Sequence, residues 1–410
     1  MAIWGKGPQR RSVSRREFFR LAALTGGAAL LAACGPAPTA AIQPTPSQAR
    51  PVAGPTAVPA TEVPPISGAL RYLGWEGYDA ADTQAFPSMA RWLQDHAVAL
   101  ASTYTSDNAA ELAKVKTAGP GAYDLCTPYI GEVPTWVESD LLEPIDPADL
   151  RNWADLFPEF TGLDAAAQGG QLYAVPFTWA PIALLYNADK VEAAPTSWND
   201  LLEPRFKGRV SIVDGYDSFI TVMALILGYR DPDPHHLTRE QLAQCRALGR
   251  RFLAQAQDIA PSYIAQRDAL VAGKADVTLG SWAAVAGWCQ AEGVDIQVAL
   301  PAEGALTYID AYAMPKGAPN RTTALAFIDQ ILSPQTQAEM AAYVSQGVVN
   351  RKAVELLPAR DRDRFDYAHL DDLLARAPAY PPVPEQSDRY ATATDWVAAW
   401  KELKAGRRGA

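Results

Sequence analysis

Apolar residues occur along this chain in two patterns, short continuous runs and repeats spaced three or four positions apart. The short runs are bounded by glycine, proline or polar residues, which is typical of buried strands. They predict strands at 68–73, 98–104, 124–127, 172–176, 183–186, 209–213 and 276–279. The runs 172–176 and 183–186 are expected to form two separate strands.

The helical repeats begin at residues that suit a helix N-terminus. Ser106 or Asp107 is expected to cap a helix that ends at Gly119, and Thr238 with Gln241 has the spacing of a capping box. Further helices are predicted over 219–227, from Ser281 through Trp288, from Asn320 and from Ser333-Pro334. Strands and helices therefore alternate, which predicts α/β layers with loops at the carboxyl ends of the strands, where open α/β sheets bind ligands.

The first 33 residues have the pattern of an export signal. Arg15 and Arg16 precede an apolar stretch over 21–33, which is too short to span a bilayer and suits a signal-peptide core. Paired arginines are typical of a twin-arginine signal, and the stretch ends in Leu-Ala-Ala before Cys34, as in a lipoprotein cleavage box. We expect a signal peptide over 1–33 and a lipid on Cys34; an incidental cysteine in a discarded leader is the alternative.

Residues 34–65 predict a tether between this cysteine and the folded part. Nine of the 31 residues from 35 to 65 are proline, half of the others are alanine or threonine, and none is aromatic. Such a segment cannot bury a core and forms a semi-rigid spacer. An ordered arm is the alternative.

Composition and charge narrow the class of protein. The 410 residues are 49% hydrophobic and 20% charged, and no apolar run reaches 18 residues, which excludes a disordered chain and a multi-span membrane protein. The net charge of −10 becomes −15 without the leader, which holds six basic residues and one acidic residue. An acidic chain of this kind gives no basic face for nucleic acid and attracts cations instead. Four cysteines and four histidines are too few for a disulfide scaffold and leave little for a metal site, so we expect no metal and no cofactor.

Several predicted loops combine aromatic and polar residues. They are Trp75-Glu76-Gly77-Tyr78, Ser102-Thr103-Tyr104, Gly215-Tyr216-Asp217, Ser281-Trp282 and Tyr308-Ile309-Asp310. Aromatic residues in loops are less easily explained as core than those on an amphipathic face. Any one of them could still fill a core, but five such loops in one acidic chain favour a binding site.

Over 69–406 the chain resembles the solute-binding proteins of bacterial importers, most closely the spermidine/putrescine-binding branch. The stretches that carry the resemblance are Gly-Ala-Tyr-Asp-Leu at 121–125, Thr-Ser-Trp-Asn-Asp-Leu at 196–201, Phe-Lys-Gly at 206–208 and Leu-Lys-Ala-Gly at 403–406. The stretch from 196 to 208 is typical of the wider family. Trp75 with Tyr78, and Tyr308 with Asp310, point to the polyamine branch.

The resemblance implies an α/β, two-lobed periplasmic-binding-protein type II fold with two crossover hinge strands and a central ligand cleft. The first crossover is expected near 178–183 and the second near 308–312. One lobe would comprise 67–180 plus 309–356, and the other 181–308 plus 357–410. Closure of the two lobes on a ligand would be a hinge motion.

The resemblance also implies ligand contacts, because protonated amines need carboxylates and their methylene chains need aromatic walls. The positions that match the branch's contact residues are Trp75, Tyr78, Ser102, Tyr104, Trp282, Tyr308, Asp310 and Gln386. Tyr308 stands where the family has tryptophan. Asp310 matches the carboxylate that meets an amino group of the chain.

The chain departs from the branch mainly in its carboxylates. The second-lobe acidic pair of the family falls on Gly215 and Ser218, and the carboxylate of the first loop moves by one residue to Glu76. A family tyrosine in a late loop becomes glutamine. The further candidate contacts are therefore Glu76, Asp214, Asp217, Ser218 and Gln346.

These features predict a lipoprotein that captures a polyamine of the putrescine or spermidine type and delivers it to an ABC permease driven by a cytoplasmic ATPase. The alternatives are another small organic cation or zwitterion, such as choline, betaine or an amino-acid derivative, or a ligand sensor. An enzyme is not expected, because no nucleophile elbow, Walker loop, His-Glu-x-x-His or dinucleotide glycine motif occurs.

The remaining expectations concern location and assembly. We expect an exported monomer, lipid-anchored to the outer face of the cytoplasmic membrane, with no nucleic-acid partner. Cys126, Cys245 and Cys289 remain once Cys34 is lipidated, so at least one thiol is free, and a reduced, buried state is expected for all three.

Overall fold

The computed structural model describes residues 65–105 and 107–407, and the predicted signal peptide, Cys34 and Ser106 lie outside these ranges. Within them the strands are β1 (Gly68–Gly74), β2 (Val98–Tyr104), β3 (Leu125–Cys126), β4 (Leu142–Glu143), β5 (Ala167–Gln168), β6 (Gln171–Leu172), β7 (Ala174–Asn187), β8 (Val210–Val213), β9 (Ala256–Ala260), β10 (Val277–Leu279), β11 (Ser281–Trp282), β12 (Ile296–Ala299), β13 (Leu306–Pro315) and β14 (Gly347–Val348). No helix in the described part of the chain has the length and apolar character needed to cross a bilayer.

The helices alternate with these strands over most of the described chain. The α-helices are α1 (Pro87–Asp95), α2 (Asn108–Ala118), α3 (Val133–Glu138), α4 (Pro158–Thr161), α5 (Tyr216–Ile226), α6 (Arg239–Gln255), α7 (Tyr263–Val271), α8 (Ala284–Ala291), α9 (Arg321–Ile331), α10 (Pro334–Val344), α11 (Ala359–Arg362), α12 (Leu370–Arg376) and α13 (Ala393–Arg407). Short 3-10 turns lie at Ile130–Glu132, Pro147–Asp149, Trp153–Asp155, Asp164–Ala166, Trp198–Leu202, Pro204–Phe206, Arg351–Leu356 and Tyr367–His369.

Most of the strands form one mixed sheet in the order β2-β1-β3-β13-β7-β10-β8-β9. The pairs β1–β2, β1–β3, β8–β10 and β8–β9 are parallel, so the loops that follow these strands gather at their carboxyl ends. The long strands β7 and β13 run antiparallel in the middle of the order and connect its two parallel parts. Strands β11, β12 and β14 also pair with β7, and β4 pairs with β13.

Strand β7 is a single strand of 14 residues, so the prediction of two strands at 172–176 and 183–186 was wrong. The residues between the two runs, such as Trp179 and Pro181, are buried as well, and the pairing with β13 continues through them. The register shifts once, between Asp310 and Ala311, which face Thr178 and Pro176. A bulge of this kind bends the strand locally and re-aims side chains.

Two main apolar cores lie on either side of these long strands. The first is built from β1, β3, the start of β7, most of β13 and α9, and the second from the end of β7, β8, β10, α5, α6 and α13. The lobe boundaries expected from the sequence stay a prediction. Phe365 and Leu370 pack in the first core, although they lie in the segment 357–410 that was assigned to the second lobe.

Most helices begin close to the residues predicted from the sequence. Asp107 caps α2 by accepting a hydrogen bond from the Ala110 backbone N–H at 2.7 Å, and Thr238 with Gln241 forms the predicted capping box of α6. The prediction that Ser281 caps a helix was wrong. Ser281 lies in β11 opposite Ala183, and its hydroxyl donates to Gln266 within the interior.

Three cysteines of the described residues, Cys126, Cys245 and Cys289, are free and buried. Burial raises the pKa of each thiol, so these side chains stay protonated and act as small apolar groups. The expected reduced, buried state therefore agrees with their surroundings.

We predict that Gly347→Ala destabilises the protein by about 1–3 kcal/mol, because a Cβ atom there would overlap the indole of the fully buried Trp179. Strand β14 places Gly347 directly opposite Trp179 on β7, and the Trp179 Nε1 donates to the Val348 carbonyl at 3.0 Å, so the ring cannot move away freely. Urea unfolding measures the change. Gly406→Ala on α13 is the matched control, since a Cβ there meets open space, and equal stability of the two variants would contradict the prediction.

Candidate functional site

A chain of hydrogen bonds surrounds Asp310 at the point where β13 is bulged. The Tyr78 hydroxyl donates to Asp310 Oδ2 at 2.7 Å, and Gln346 Nε2 donates to the Tyr78 hydroxyl at 2.7 Å. The Thr178 hydroxyl, opposite Asp310 in the ladder, lies 3.2 Å from Gln346 Oε1. Four segments that are far apart in sequence therefore fix the position of a single carboxylate.

Asp310 is buried, with 8% of its surface exposed, and it forms no ion pair with any described side chain. Burial raises the pKa of its carboxyl group to about 7, against the opposing effect of the Tyr78 hydroxyl. The group is therefore partly protonated at neutral pH. A cation bound beside it would favour the ionised form and would supply the positive charge that the described side chains do not.

A second tyrosine–aspartate pair lies close by on the same strand. Tyr308 is two residues before Asp310 in β13, so the two side chains lie on the same face of the strand. The Tyr308 hydroxyl donates to Asp217 Oδ2 at 2.8 Å, and its ring packs edge-to-face against Tyr129 at 5.1 Å between centroids. Asp217 lies in the first turn of α5, where the helix dipole favours a negative charge.

A third pair involves Asp79, which sequence reasoning missed. Asp79 follows Tyr78 in the loop after β1 and is 1% exposed. Its Oδ2 accepts hydrogen bonds from Ser102 Oγ at 2.5 Å and from the Tyr104 hydroxyl at 2.8 Å. The sequence signal was present, because Ser102 and Tyr104 were candidate contacts that needed an acceptor.

Further carboxylates lie near these pairs. The pKa of Tyr216 is raised mainly by burial and further by the charges of Asp217, Glu385 and Glu132. The pKa of Glu132 is also raised, mainly by burial and further by Glu385. Glu132 and Glu385 had not been predicted, since nothing in their local sequence distinguishes them from surface residues. Together these groups give the region a negative potential.

The predicted aromatic contacts Trp75 and Trp282 are both half-buried. Trp282 is half-buried and packs against Tyr263 and Trp288, at 5.8 and 5.5 Å between ring centroids. Trp75 is half-buried at the end of β1, where its carbonyl accepts the Tyr72 hydroxyl at 3.0 Å. These rings have faces that suit hydrocarbon chains and cations.

A family model described as bacterial extracellular solute-binding protein matches residues 95–363 of this chain.

The chain belongs to the bacterial extracellular solute-binding protein family.

The relatives of this solute-binding protein confirm the resemblance seen in the sequence. It is 26% identical to the putrescine-binding periplasmic protein PotF of Escherichia coli K12, over 82% of this chain and 92% of the relative. It is 27% identical to the spermidine/putrescine-binding periplasmic protein of the same organism, over 75% of this chain and 84% of the relative.

Solved structures confirm the predicted two-lobed α/β fold. The spermidine/putrescine ABC transporter substrate-binding protein PotD from Streptococcus pneumoniae has a TM-score of 0.67 with 20% identity, over 83% of this chain and 98% of that one. A putative spermidine/putrescine ABC transporter protein from Listeria monocytogenes has a TM-score of 0.65 with 22% identity, over 83% and 98%.

The structure of this solute-binding protein does not bring every predicted contact to the same place. Asp214 accepts hydrogen bonds from Trp400 Nε1 at 2.7 Å and from Lys404 Nζ at 2.6 Å, so its charge is already neutralised on α13. Burial tends to raise the Asp214 pKa, but Lys404 and Trp400 outweigh it and the pKa is lowered. Glu76 and Gln386 are exposed and take no part in the hydrogen bonds described above.

Three further predicted contacts, Ser218, Gln346 and Trp282, lie beside tyrosines of the site. Ser218 is buried beside Tyr263, Gln346 holds Tyr78, and Trp282 packs against Tyr263. Asp310 and Tyr308 share one face of β13. The residues that the structure brings together are thus Tyr78, Asp310, Gln346, Tyr308 and Asp217, with Ser102 and Tyr104 joined to Asp79.

Glu111 is a further buried carboxyl group near the site, and it was not predicted. It is fully buried on α2, its Oε1 accepts the Thr127 backbone N–H at 2.7 Å, and its Oε2 has no partner among the described residues. Burial raises its pKa to about 8, against the opposing Thr127 hydrogen bond, with a smaller upward effect from Asp310. Glu111 is therefore largely protonated in the folded protein at neutral pH.

We predict that the stability of the ligand-free protein falls as pH rises from about 5 to 8, and that it falls less in Glu111→Gln. The folded protein holds the Glu111 proton in this range while the unfolded chain releases it. The free energy of unfolding therefore falls by at most about 1.4 kcal/mol per pH unit. Urea unfolding at pH 5, 6.5 and 8 measures the profile. Glu138→Gln, at an exposed position of α3, should follow the wild type, and parallel slopes for wild type and Glu111→Gln would contradict the prediction.

Proposed function

We propose that this solute-binding protein captures a linear amine with two or more protonated nitrogens and delivers it to an ABC permease. The observation that carries the proposal is the set of tyrosine–aspartate pairs around Asp310. Asp79, Asp217 and Asp310 each accept a tyrosine hydroxyl, and no described lysine, arginine or histidine forms an ion pair with any of them.

Carboxylates in such surroundings favour a cationic ligand. Removing a carboxylate from water is costly unless a positive charge replaces the lost hydration. A primary ammonium group has three N–H donors and can satisfy several acceptors at once. An amine at Asp310 would replace the proton that the buried carboxyl otherwise holds.

The hydroxyl groups favour a ligand without a carboxylate of its own. The hydroxyls of Tyr78, Tyr104 and Tyr308 donate their single hydrogens to aspartates, and that of Tyr78 also accepts Gln346 Nε2, so these hydroxyls can offer a ligand only their remaining lone pairs. Lone pairs accept N–H groups and repel carboxylate oxygens. This arrangement favours polyamines over zwitterions such as betaine or amino acids, which the sequence alone had left open.

The aromatic rings and the relatives support the same ligand class. Trp75 and Trp282 are half-buried and provide flat walls for a methylene chain, with about 0.5–2 kcal/mol of cation–π attraction from each ring that meets an amine. The relatives that cover most of this chain are named as putrescine-binding or spermidine/putrescine-binding proteins. We infer the ligand of this chain from the agreement of these names with the three carboxylates.

We further propose that the protein is exported, anchored by a lipid and docked on a permease when it is loaded. The twin-arginine leader and Cys34 support a lipoprotein on the outer face of the cytoplasmic membrane, with residues 34–65 as the tether. Two lobes, 67–180 plus 309–356 and 181–308 plus about 357–410, would close on the ligand by bending at β7 and β13. The closed protein would then dock on the permease as a monomer.

Isothermal titration with putrescine, spermidine, choline and glycine betaine tests the ligand class. The protein is unfolded and refolded first to remove any bound ligand. We expect micromolar or tighter binding of putrescine or spermidine, and a loss of about 2–5 kcal/mol in Asp310→Asn, which leaves a buried amine without its charge partner. Asp189→Asn, exposed beyond β7, is the control. Binding of betaine alone, or equal affinities of Asp310→Asn and wild type, would overturn the proposal.

We predict that amine affinity falls as pH decreases below about 7. The Asp310 pKa of about 7 means that the ligand must displace a proton under acidic conditions, which costs up to about tenfold in Kd per pH unit. Above pH 7 the affinity should level off until the amine itself loses its charge. Titrations from pH 5.5 to 8.5 measure this profile, and an unchanged Kd across the range would contradict it.

A further inference from the structure

Asp79 is a buried carboxylate whose charge has no positive partner among the described residues. Its Oδ2 accepts the hydroxyls of Ser102 and Tyr104, while its Oδ1 lies 3.4 Å from the Ala81 backbone N–H. Only 1% of its surface is exposed, so water compensates little of the charge. Neutral hydroxyls satisfy hydrogen bonds but do not balance a charge, and a buried unbalanced charge is strongly unfavourable.

The hydroxyls of Ser102 and Tyr104 have their negative, lone-pair side facing away from Asp79. Each has one hydrogen, which points towards Asp79, so the lone pairs of Ser102 Oγ and of the Tyr104 oxygen point away from it. Burial and then Asp79 raise the pKa of Tyr104 to about 12, so this hydroxyl keeps its proton at neutral pH. Tyr104 is 44% exposed whereas Asp79 is 1% exposed, so the tyrosine and not the aspartate is the member of this pair that is open to solvent.

The position of Asp79 relative to Asp310 follows from the neighbouring residue. Tyr78 directly precedes Asp79, and its hydroxyl bonds Asp310, so one tyrosine lies between the two carboxylates. Strands β1 and β2 are parallel neighbours with Tyr72 opposite Ser102 and Gly74 opposite Tyr104, which places the hydroxyls next to the loop that carries Asp79.

Gly77 allows this loop to fold back over the strand ends. Its φ of +92° is a conformation that favours glycine, and a Cβ there would meet the Tyr343 ring at 2.7 Å. The turn buries Tyr78 and Asp79 while Glu76, one residue earlier, points to solvent. The local backbone therefore selects Asp79 over Glu76 as the buried carboxylate of the loop.

We propose that Asp79 is a positioning residue for a second ammonium subsite, whose contact atoms are Ser102 Oγ and the Tyr104 oxygen. This inference rests on the proposed function: the first amino group of the ligand pairs with Asp310, and the second lies against the two hydroxyls. Asp79 orients those hydroxyls and supplies their negative charge without touching the ligand itself. It thereby replaces Glu76 in the role that the sequence resemblance implied.

The test compares putrescine with N-acetylputrescine, in which one ammonium group becomes a neutral amide. The measured ratio is the Kd of N-acetylputrescine divided by the Kd of putrescine. In the wild type this ratio should be at least about ten, because the acetylated end loses its charge interaction. In Asp79→Asn the ratio should fall to about three or less, since the second subsite no longer prefers a charged group. A general loss of packing would weaken both ligands and leave their ratio unchanged, so the ratio separates positioning from a merely structural role.

Two further variants make the result decisive. Asp82→Asn is the matched control, because Asp82 is an exposed aspartate three residues along the same loop, and the wild-type ratio is expected. Tyr104→Phe removes one contact oxygen from a partly exposed ring and should also lower the ratio. It decides the matter if Asp79→Asn does not fold, in which case a wild-type ratio in Tyr104→Phe overturns the inference.

The remaining outcomes distinguish this inference from the proposed function. If folded Asp79→Asn binds putrescine with the wild-type ratio, the inference is wrong and the proposed function stands. If Glu76→Gln, rather than Asp79→Asn, abolishes the ratio, the second subsite belongs to Glu76 and the inference is again wrong. If the wild type binds neither putrescine nor spermidine, the proposed function fails and the inference fails with it.

Discussion

The antiparallel pairing of β7 with β13 is the interaction on which the rest of the structure depends. Strand β7 contributes buried residues to both main cores and β13 to the first, and their register places Asp310 opposite Thr178 and Tyr308 opposite Ala180. Because Tyr308 and Asp310 are two residues apart, they face the same side. One of them reaches Asp217 on α5 and the other is held by Tyr78 after β1, so a single strand connects carboxylates from both parts of the sheet.

The arrangement has an energetic consequence for the ligand-free protein. Asp79 and Asp310 are buried, and no positive side chain of the described residues pairs with either, which costs stability that the ladder and the apolar cores must supply. A cationic ligand would relieve this cost, so part of the unfavourable burial becomes binding free energy. In the proposed function, the same carboxylates that weaken the empty protein select its ligand.

Local sequence patterns predicted much of the fold, and the failures have physical causes. The cap of Asp107 and the capping box at Thr238 depend on residues three apart, which a sequence displays directly. Ser281 was misassigned because it lies in β11 and its partner Gln266 lies on α7, outside any local window. The same applies to the site. Asp310 was found through its aromatic neighbour Tyr308 and through the resemblance, although the loop predicted for 308–310 was wrong and these residues lie within β13. Asp79 and Asp214 could be told apart only by knowing whether hydroxyls or Lys404 lie beside them.

A crystal structure of the refolded protein grown with putrescine or spermidine tests the central claim most directly. The account predicts an amine nitrogen within hydrogen-bonding distance of an Asp310 carboxylate oxygen, with the methylene chain lying against aromatic rings. An amine bound away from Asp310, or a lysine or arginine of the protein itself filling the space beside that carboxylate, would contradict it.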